Sequence, residues 1–341
     1  MITWINFLHL YQPPTQTREV IDQIVKECYS LIPKLIHQYP KLRLTVNISG
    51  SLLELLEKYG HQETITEFQK MVQTGRVELV GSAMYHPILA LIPDAEMKHH
   101  IELHNSILKK YFGEHYKPRG FFIPEMAYGK NVADVVKKMG FEWIIIDNIS
   151  FPGDMNNQNR VDNQIKYIIN DNGLSVIFRD RDFSRTFPPQ FIVDNSDMIE
   201  AKSNYLITSH DGELYGHWHK DDKGYYQKAF TSDAITMITV SEYVAGLDKT
   251  ETIEVRAASW ESLPKNLDKH IPYELWNDPD NVVHGLLWDF AHFVINLVED
   301  NKNDSNYVWA RQHLDRSVAS CAWWWSTGRK LLEIVPESPI C

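Results

Sequence analysis

Short apolar runs that alternate with longer amphipathic segments constrain the fold of this chain more than any other feature. The runs are rich in β-forming residues and read ITWINFLHL, LRLTVNIS, VELVGSA, RGFFIPE, EWIIIDN, SVIFRDRD and NYLITSHD. Because these candidate strands are almost continuously apolar, they predict a parallel sheet covered by helices. The segments 17–39 and 51–75 each predict one helix, with Gly75 as the expected C-cap of the second.

Polar residues follow the candidate strands at their carboxyl ends. They are His9, Asn47, Tyr85, His86, Glu125, Asp147, Arg179, Asp182, His210 and Asp211. A (β/α) barrel lines its active face with such residues, so the pattern favours an α/β barrel over residues 1–225. The seven candidate strands are one fewer than the usual eight. A doubly wound open sheet would show the same alternation and stays open as an alternative.

The strand pattern fades after about residue 225, where three long segments predict helices instead. These segments are 225–247, 279–301 and 305–333, and Ser305 is the expected N-cap of the last. The interpretation is a helical C-terminal region over residues 226–341 that packs on the barrel. A loop near 258–281 carries Trp260 and Trp276, and we expect it to present both rings to a sugar at the active face.

Charge and composition exclude several classes of partner. The net charge of −11 argues against nucleic acid and anionic membranes, because both favour clustered Lys and Arg. The aromatic fraction of 12% suits the apolar faces of sugars, although aromatic residues also fill ordinary cores. Cys28, Cys321 and Cys341 form neither a disulfide framework nor a metal-ligand spacing. With no basic leader and no apolar run of membrane-spanning length, we expect a cytoplasmic protein without a cofactor.

Two acids stand in partly apolar surroundings at predicted strand ends: Glu125 in FFIPEMAYG and Asp211 in ITSHDGELYGHW. Glycoside hydrolysis uses two carboxyl groups, one ionised and one that holds a proton for the leaving oxygen. Burial and a negative partner raise the pKa of the second acid. The plainer alternative for Glu125 is the first turn of a helix, where Pro and Glu are common. Glu213 would face the same way as Asp211 in an extended segment.

Histidines are the remaining candidate ligands. His100 and His104 stand one helical turn apart, a spacing that can bind a metal, but no third ligand follows in a recognisable pattern. We interpret them as a solvated helix face and predict no catalytic metal. His210 would bind the sugar or tune Asp211, and a structural role fits the sequence equally well. His9 ends the first buried strand and is predicted to contact the substrate.

The stretches around both acids are joined by LHLYQP near the start and GRVELVGSAMYHPILALI between them. In this order they resemble the motifs of glycoside hydrolase family 57. The similarity runs from residue 4 to about 220 and extends more loosely to ASWESLP and LDRSVASCAWWWS, so it covers nearly the whole chain. That family includes α-amylases, 4-α-glucanotransferases, branching enzymes, amylopullulanases and α-galactosidases.

The resemblance implies an incomplete (β/α)7 barrel followed by a helical region, and a retaining mechanism on α-linked sugars. It gives the nucleophile to Glu125 and the acid/base role to Asp211, which would act on α-glucans or maltooligosaccharides by double displacement. His9 and His86 match histidines of the family motifs. With the residues argued above, the predicted substrate-binding set is His9, Tyr11, His86, Tyr128, His210, Trp260 and Trp276.

Three positions depart from the family pattern. Tyr11 stands where a second His is frequent, Phe122 replaces a Trp common three residues before the nucleophile, and Ala90 stands where amylase-like members often have Pro. The expected partner is an oligosaccharide or polysaccharide, while the sugar, the bond, hydrolysis versus transfer and the oligomeric state stay open. The alternatives are an α-galactosidase of the same family, a metal-dependent carbohydrate deacetylase and a non-catalytic carbohydrate-binding relative.

Overall fold

The fold is described by a computed structural model that covers residues 1–153 and 161–328. Its strands are β1 Ile2–Leu10, β2 Leu44–Ile48, β3 Val77–Leu79, β4 Gly120–Phe122, β5 Trp143–Asp147, β6 Ile165–Ile169, β7 Ser175–Arg179, β8 Tyr205–Asp211, β9 Ile235–Ile238 and β10 Lys249–Ile253. Its α-helices are α1 Arg18–Ile24, α2 Leu31–Gln38, α3 Gly50–Tyr59, α4 Gln62–Gln73, α5 Asp94–Phe112, α6 Lys130–Lys138, α7 Arg181–Ser184, α8 Pro188–Asp194, α9 Ser196–Lys202, α10 Tyr225–Thr231, α11 Val240–Ala245, α12 Pro264–Leu267, α13 Val282–Asp300, α14 Tyr307–Ser317 and α15 Cys321–Ser326. A π-helical turn joins α1 to α2.

Seven of the described strands run parallel around a barrel. β1 pairs with β2 on one side and β8 on the other, β2 pairs with β3, and β5 pairs with β4 and β7. Backbone hydrogen bonds outside the regular ladders connect β3 to β4 and β7 to β8. Gly81 N donates to Gly120 O at 2.9 Å, and Asp180 N donates to Ile207 O at 2.8 Å. The result is the incomplete α/β barrel that the sequence predicts, with the carboxyl ends of its strands on one rim.

The close approach of β3 to β4 depends on two glycines. A Cβ on Gly120 would lie 2.1 Å from the ring of Trp143, and a Cβ on Gly81 would lie 2.5 Å from the ring of Phe141. Both rings are buried and cannot move aside without opening the core. Glycine therefore lets two strand ends approach closely enough to continue the barrel.

The seven strands predicted from the sequence are all present, but the helix predicted over 225–247 is wrong. That segment forms α10, β9 and α11, and β9 pairs with the first residues of β1. Two of its alternate residues, Ile235 and Met237, are buried, a period of two that belongs to a strand. The unpredicted strands β6 and β10 extend the sheet beyond β7. The division at residue 225 stays a prediction.

Three other predicted helices are interrupted. The segment 17–39 forms α1 and α2, with the π-helical turn Val25–Tyr29 between them. The segment 51–75 forms two helices, because Gly60 adopts a left-handed φ of 86° and ends α3. Gly75, with a φ of 71°, follows the end of α4 as expected. The last predicted helix divides into α14 and α15, and the N-cap of α14 is Asn306 rather than Ser305.

The C-terminal helices pack on one another and on a barrel helix through apolar and charged contacts. Trp288 of α13 stacks on Trp323 of α15, with ring centroids 4.3 Å apart. Arg311 of α14 donates to both carboxylate oxygens of Glu96 on α5, at 2.8 and 2.6 Å, in a buried ion pair. This pair therefore anchors the chain just before it enters the site described below. Residues 329–341, which include Cys341, lie outside the described part.

Helix α13 contradicts the expectation that no segment reaches membrane-spanning length. Its 19 residues are long and apolar enough to cross a membrane by length and composition, and 22% of its most apolar window is buried inside the structure. Length and composition alone are weak grounds for a membrane span, because a helix of a soluble protein can meet the same criteria.

Candidate active site

His9 stands at the end of β1, within a group of aromatic rings at the barrel mouth. Its ring centroid lies 4.4 Å from that of Phe122 and 4.9 Å from that of His86. Nδ1 lies 2.7 Å from Oδ1 of Asn47 and therefore donates its proton, whereas Nε2 has no partner among the described residues. Burial lowers the pKa of His9 to about 3. The neutral ring thus offers Nε2 as a free hydrogen-bond acceptor.

Glu125 follows β4 on a strained turn. Its φ of 57° and ψ of 14° lie in the left-handed region, which residues other than glycine seldom occupy. Trp260 Nε1 donates to Oε2 at 2.9 Å, and Ser320 Oγ donates to Oε1 at 3.0 Å. His86 Nδ1 lies 3.4 Å from the same Oε1. The turn thus delivers the carboxylate to donors from two distant parts of the chain.

Asp211 ends β8 directly beside the histidine of β1, since His9 and Asp211 are register partners. In contrast to Glu125, no side-chain hydrogen bond to its carboxyl group is found in the parts of the chain that the structure describes. Burial, followed by the nearby charge of Glu213, raises the pKa of Asp211 to about 8. A carboxyl group with that pKa holds its proton at neutral pH.

The two acids share one electrostatic environment. Burial raises the pKa of Glu125 well above its usual value, and electrostatic interactions with Cys321 and Asp211 raise it further. The donors Ser320 and Trp260 act in the opposite direction, because they stabilise the carboxylate form. When one proton is shared between the two acids, these donors favour ionised Glu125 and protonated Asp211.

His86 and Tyr11 form one wall of the site. Their rings stack with centroids 4.2 Å apart, and the Tyr11 hydroxyl lies 3.5 Å from Sγ of Cys321. His86 Nδ1 lies 3.1 Å from Oγ of Ser320, and its Nε2 is buried without a partner among the described residues. Burial lowers the pKa of His86 well below its usual value, so this ring is neutral as well.

His210 lies at the same rim, one residue before Asp211. Its Nδ1 donates to the backbone oxygen of Asp211 at 3.0 Å, and its ring stacks on Tyr215. Burial lowers the pKa of His210 to about 4. Its Nε2, like those of His9 and His86, is a buried acceptor without a partner in the described residues.

The loop that carries Trp260 reaches the active face, as expected, and arginines hold it there. The Arg179 guanidinium lies 5.1 Å from the centre of the Trp260 ring. Arg181 donates to the backbone oxygen of Ser262 at 2.8 Å. Both arginines bind the fully buried carboxylate of Asp147, at 2.8 and 3.0 Å. Burial would raise the pKa of Asp147, but the two guanidinium groups offset this and lower it.

A groove of about 320 Å³ adjoins the site on the side of Cys321. Pro13, Gln16 and Arg316 line it, and Trp325 lies at its edge with 46% of its surface exposed. Because Cys321 also contacts Tyr11 and interacts electrostatically with Glu125, the groove lies next to the candidate active site.

Two predicted substrate-binding residues are not brought to the site. Trp276 is completely buried and accepts a hydrogen bond at its backbone oxygen from Trp288, so it has no face free for a sugar. Tyr128 is also buried, and burial together with Asp134 and Asp171 raises its pKa to about 12. The largest charge effects on the pKa of its hydroxyl come from Asp134 and Asp171 rather than from Glu125 and Asp211. The positions of both residues indicate packing roles.

Glu213 does not join the pair formed by Glu125 and Asp211. Its carboxylate accepts hydrogen bonds from Gln12 Nε2, at 3.0 Å, and from the Tyr29 hydroxyl. It therefore fixes neighbouring side chains and contributes negative charge near Asp211.

His100 and His104 correct the interpretation of α5 as a solvated face, because both are completely buried. Glu96, His100 and Asp315 form a group with the spacing of metal ligands, whose ligand atoms lie within 4.8 Å of one another. Arg311 already binds both carboxylates of this group. The guanidinium therefore occupies the position that a cation would take.

Comparison with known proteins identifies the group that these motifs share. The family model described as Glycosyl hydrolase family 57 matches residues 7–256. The chain belongs to this family. An α-amylase of Pyrococcus horikoshii is 24% identical over 260 residues, which are 71% of this chain and 40% of the relative. A 4-α-glucanotransferase of Thermococcus litoralis is 20% identical over 326 residues, which are 91% of this chain and 46% of the relative.

Solved structures related to this family 57 chain confirm its fold. The crystal structure of the Thermococcus litoralis 4-α-glucanotransferase has a TM-score of 0.76 and 18% identity, and covers 98% of this chain and 59% of that one. A GH57-type branching enzyme from Pyrococcus horikoshii has a TM-score of 0.76 and 15% identity, and covers 98% and 86%. The chain spans less than half the length of the curated relatives described above.

Sequence reasoning missed one contact of the family 57 site. Ser320 donates to Glu125 and also lies beside His86, yet it is 195 residues from the acid. A signal was present, since Ser320 falls in the LDRSVASCAWWWS stretch that carries part of the family resemblance.

Proposed function

We propose that this family 57 chain is a retaining glycoside hydrolase or transglycosylase that acts on α-glucans or maltooligosaccharides. One observation carries the proposal: two strand-end carboxyl groups share a desolvated site in which only Glu125 receives side-chain hydrogen bonds from described residues. This asymmetry suits a nucleophile that must be ionised and an acid that must be protonated.

In the first step, a carboxylate oxygen of Glu125 attacks the anomeric carbon while Asp211 gives its proton to the leaving glycosidic oxygen. A glycosyl–Glu125 ester forms, and the bond to the leaving sugar breaks. In the second step, Asp211 takes a proton from the incoming hydroxyl group, which attacks the anomeric carbon and releases Glu125. Water as the acceptor gives hydrolysis, and a sugar hydroxyl gives transfer.

The neutral histidines would orient the sugar during both steps. Nε2 atoms of His9, His86 and His210 are buried acceptors without partners in the described residues. Such atoms are costly unless they are satisfied, and sugar hydroxyls are donors of the right kind. Because none of the three rings is charged, they would bind hydroxyl groups without competing electrostatically for Glu125.

The adjoining groove supports an extended substrate. Its volume of about 320 Å³ and the exposed face of Trp325 suit a further sugar unit beyond the one held at the acids. The α-amylase and 4-α-glucanotransferase names of the curated relatives favour α-glucans over other glycans. A maltooligosaccharide that spans the site and the groove is therefore the substrate that we propose.

Azide rescue tests the two roles separately. We expect Glu125→Ala with an activated aryl α-glycoside to release a β-glycosyl azide, because azide takes the place of the nucleophile. Asp211→Ala should instead release an α-glycosyl azide, because azide attacks the β-linked glycosyl–Glu125 ester. Proton NMR of the products distinguishes the two anomers, and Glu213→Ala is the matched control at the neighbouring acid.

The same proposal predicts that the unmodified protein first releases the α-anomer from maltooligosaccharides. Release of the β-anomer, or identical azide products from the two alanine variants, would contradict double displacement. A panel that adds α-1,6-glucans and α-galactosides identifies the bond, and turnover confined to α-galactosides would replace the substrate proposed here by the related α-galactosidase activity.

A further inference from the structure

Helix α13 has two apolar faces, and only one of them packs against the protein. Trp288, Ala291, Ile295 and Val298 are buried on the inner side. The outer side is also apolar, with exposed fractions of 49% for Val283, 64% for Leu286, 66% for Phe290, 61% for Phe293 and 50% for Leu297. A surface helix normally carries polar residues on its outer side. We call these five exposed residues the outer stripe.

The outer stripe has the spacing of a helix-pairing seam. Its members follow one another at intervals of three, four, three and four residues, which is the a/d pattern of a coiled coil. With Val282 at the start of the helix, the exposed apolar surface is roughly 650 Å², if a fully exposed large side chain presents about 150–250 Å². Typical monomers expose patches of about 300–600 Å², and a standard interface buries about 800 Å² per partner.

The order of residues within the stripe fits a second copy of the same helix. In an antiparallel pair each a position packs beside a d position of the other helix. With the two-fold axis between Phe290 and Phe293, each Phe290 meets a Phe293, and each Leu286 meets a Leu297. The axis then lies near the middle of α13, which spans Val282–Asp300. A two-fold interface requires this kind of self-complementary surface.

We propose that the outer stripe is a dimer interface, in which α13 packs antiparallel on α13 of a second copy of this chain. A lipid surface fits less well, because α13 contains no Lys or Arg and carries Asp289 on its exposed side. The inner face of α13 stays packed on the C-terminal helices in the dimer. The inference is independent of the proposed catalytic function.

Sedimentation equilibrium of the full chain tests the interface. We expect the unmodified protein to be dimeric at micromolar concentration. Phe290→Glu should weaken association by at least about 100-fold, because it places a carboxylate without a partner inside the interface. Met198→Glu is the matched control, since Met198 is 49% exposed and lies on α9 outside the stripe. A monomeric unmodified protein, or equal effects of the two variants, would overturn the proposal.

Cysteine cross-linking tests the antiparallel register. The double variant Leu286→Cys/Leu297→Cys should form disulfide-linked dimers on mild oxidation, whereas neither single variant should. Within one helix these positions are about 16 Å apart, which is too far for an internal disulfide. Cross-linking by each single variant would indicate a parallel pair and overturn this register.

Cosedimentation with neutral phosphatidylcholine vesicles gives a separate readout for lipid. We expect the unmodified full chain to stay in the supernatant. Vesicle binding that Phe290→Glu abolishes and Met198→Glu preserves would show that lipid, rather than a second copy, covers the stripe.

Discussion

The candidate active site is assembled from two regions that differ in how they are held. The barrel region supplies His9, Asn47 and Asp211 from strand ends whose positions the backbone hydrogen bonds fix. The C-terminal region supplies Trp260 from a loop and Ser320 from the turn before α15. Charged side chains and a few isolated backbone hydrogen bonds, among them Trp260 N to Glu125 O at 3.2 Å and Ser320 N to His86 O at 3.1 Å, hold this second region in place. In the proposed mechanism the barrel therefore positions both acids, and the C-terminal region tunes Glu125.

The largest effect on activity is expected from changes to the two acids that the barrel supplies. Glu125→Gln and Asp211→Asn should each lower kcat on maltooligosaccharides, by more than about 10⁴-fold for the nucleophile and about 10²–10⁴-fold for the acid. Folding should be retained, because each change removes a desolvated carboxyl group rather than a packing contact. Thermal unfolding checks this, and residual turnover near that of the unmodified protein would refute the assignment.

The next largest effect is expected on stability, at the buried ion pair that joins the C-terminal region to α5. Arg311→Met should lower the free energy of unfolding by about 3–5 kcal/mol, because Glu96 then remains buried without its cation, while Asp315 loses the guanidinium and keeps its contact with His99. Arg316→Met on the same helix is the control, since its contact with Glu54 is exposed and contributes about 0–1 kcal/mol. Chemical denaturation measures both variants, and equal losses would mean that the buried pair does not anchor α14.

The two regions also differ in how far the sequence alone could predict them. Glu125, Asp211 and His9 end apolar strands, and parallel strands bring such ends together whatever the loops do. Trp260 and Trp276 occur on one loop with similar neighbours, and only the packed structure shows that the first reaches Glu125 and the second is buried. Which of the two tryptophans reaches the site depends on contacts between residues that are far apart in the sequence. Local sequence patterns do not reveal such contacts.

Strand β9 illustrates the same limit within the fold itself. Its residues Ile235–Ile238 are surrounded by helix-forming sequence, and the strand exists because the first residues of β1 have a free edge there. Tertiary pairing thus overrides a local helical preference. His100 and His104 are a second case, since their polar side chains suggest a solvent-facing side, yet both are buried. His100 lies beside Asp315 of α14, and His104 lies beside Gly50 at the start of α3.

Trp260→Phe would sharpen the comparison by removing a single donor from Glu125 while retaining an aromatic ring. We expect kcat/KM to fall by about 10–100-fold, the usual contribution of a hydrogen bond to a charged group. The loss of the donor raises the pKa of Glu125, so the acid limb of the pH–rate profile should move to higher pH. Trp218→Phe, at an exposed tryptophan, is the control. An unshifted acid limb would mean that the C-terminal region does not tune the nucleophile.

The alkaline limb of the pH–rate profile should instead report the pKa of Asp211, which the barrel supplies. Asp211 acts as an acid only while protonated, and its pKa is raised to about 8. The rate should therefore fall about tenfold per pH unit above that value. The limb should keep its position in Trp260→Phe, because that donor contacts Glu125 and not Asp211. If both limbs moved together, Trp260 would influence the pKa of both acids, and the two regions would not act on separate acids.

The smallest effect is expected at the groove, where the C-terminal region contributes surface rather than electrostatics. Trp325→Ala should raise KM for longer maltooligosaccharides by about 3–10-fold, the range expected from the loss of one aromatic contact. The shortest substrate that is turned over should show no change, because it does not extend past Cys321. Trp309→Ala is the control, since Trp309 is 65% exposed and does not line the groove. Equal effects on short and long substrates would mean that Trp325 supports the catalytic end of the site. In that case the C-terminal region would act on Glu125 through α15 as well as through Ser320.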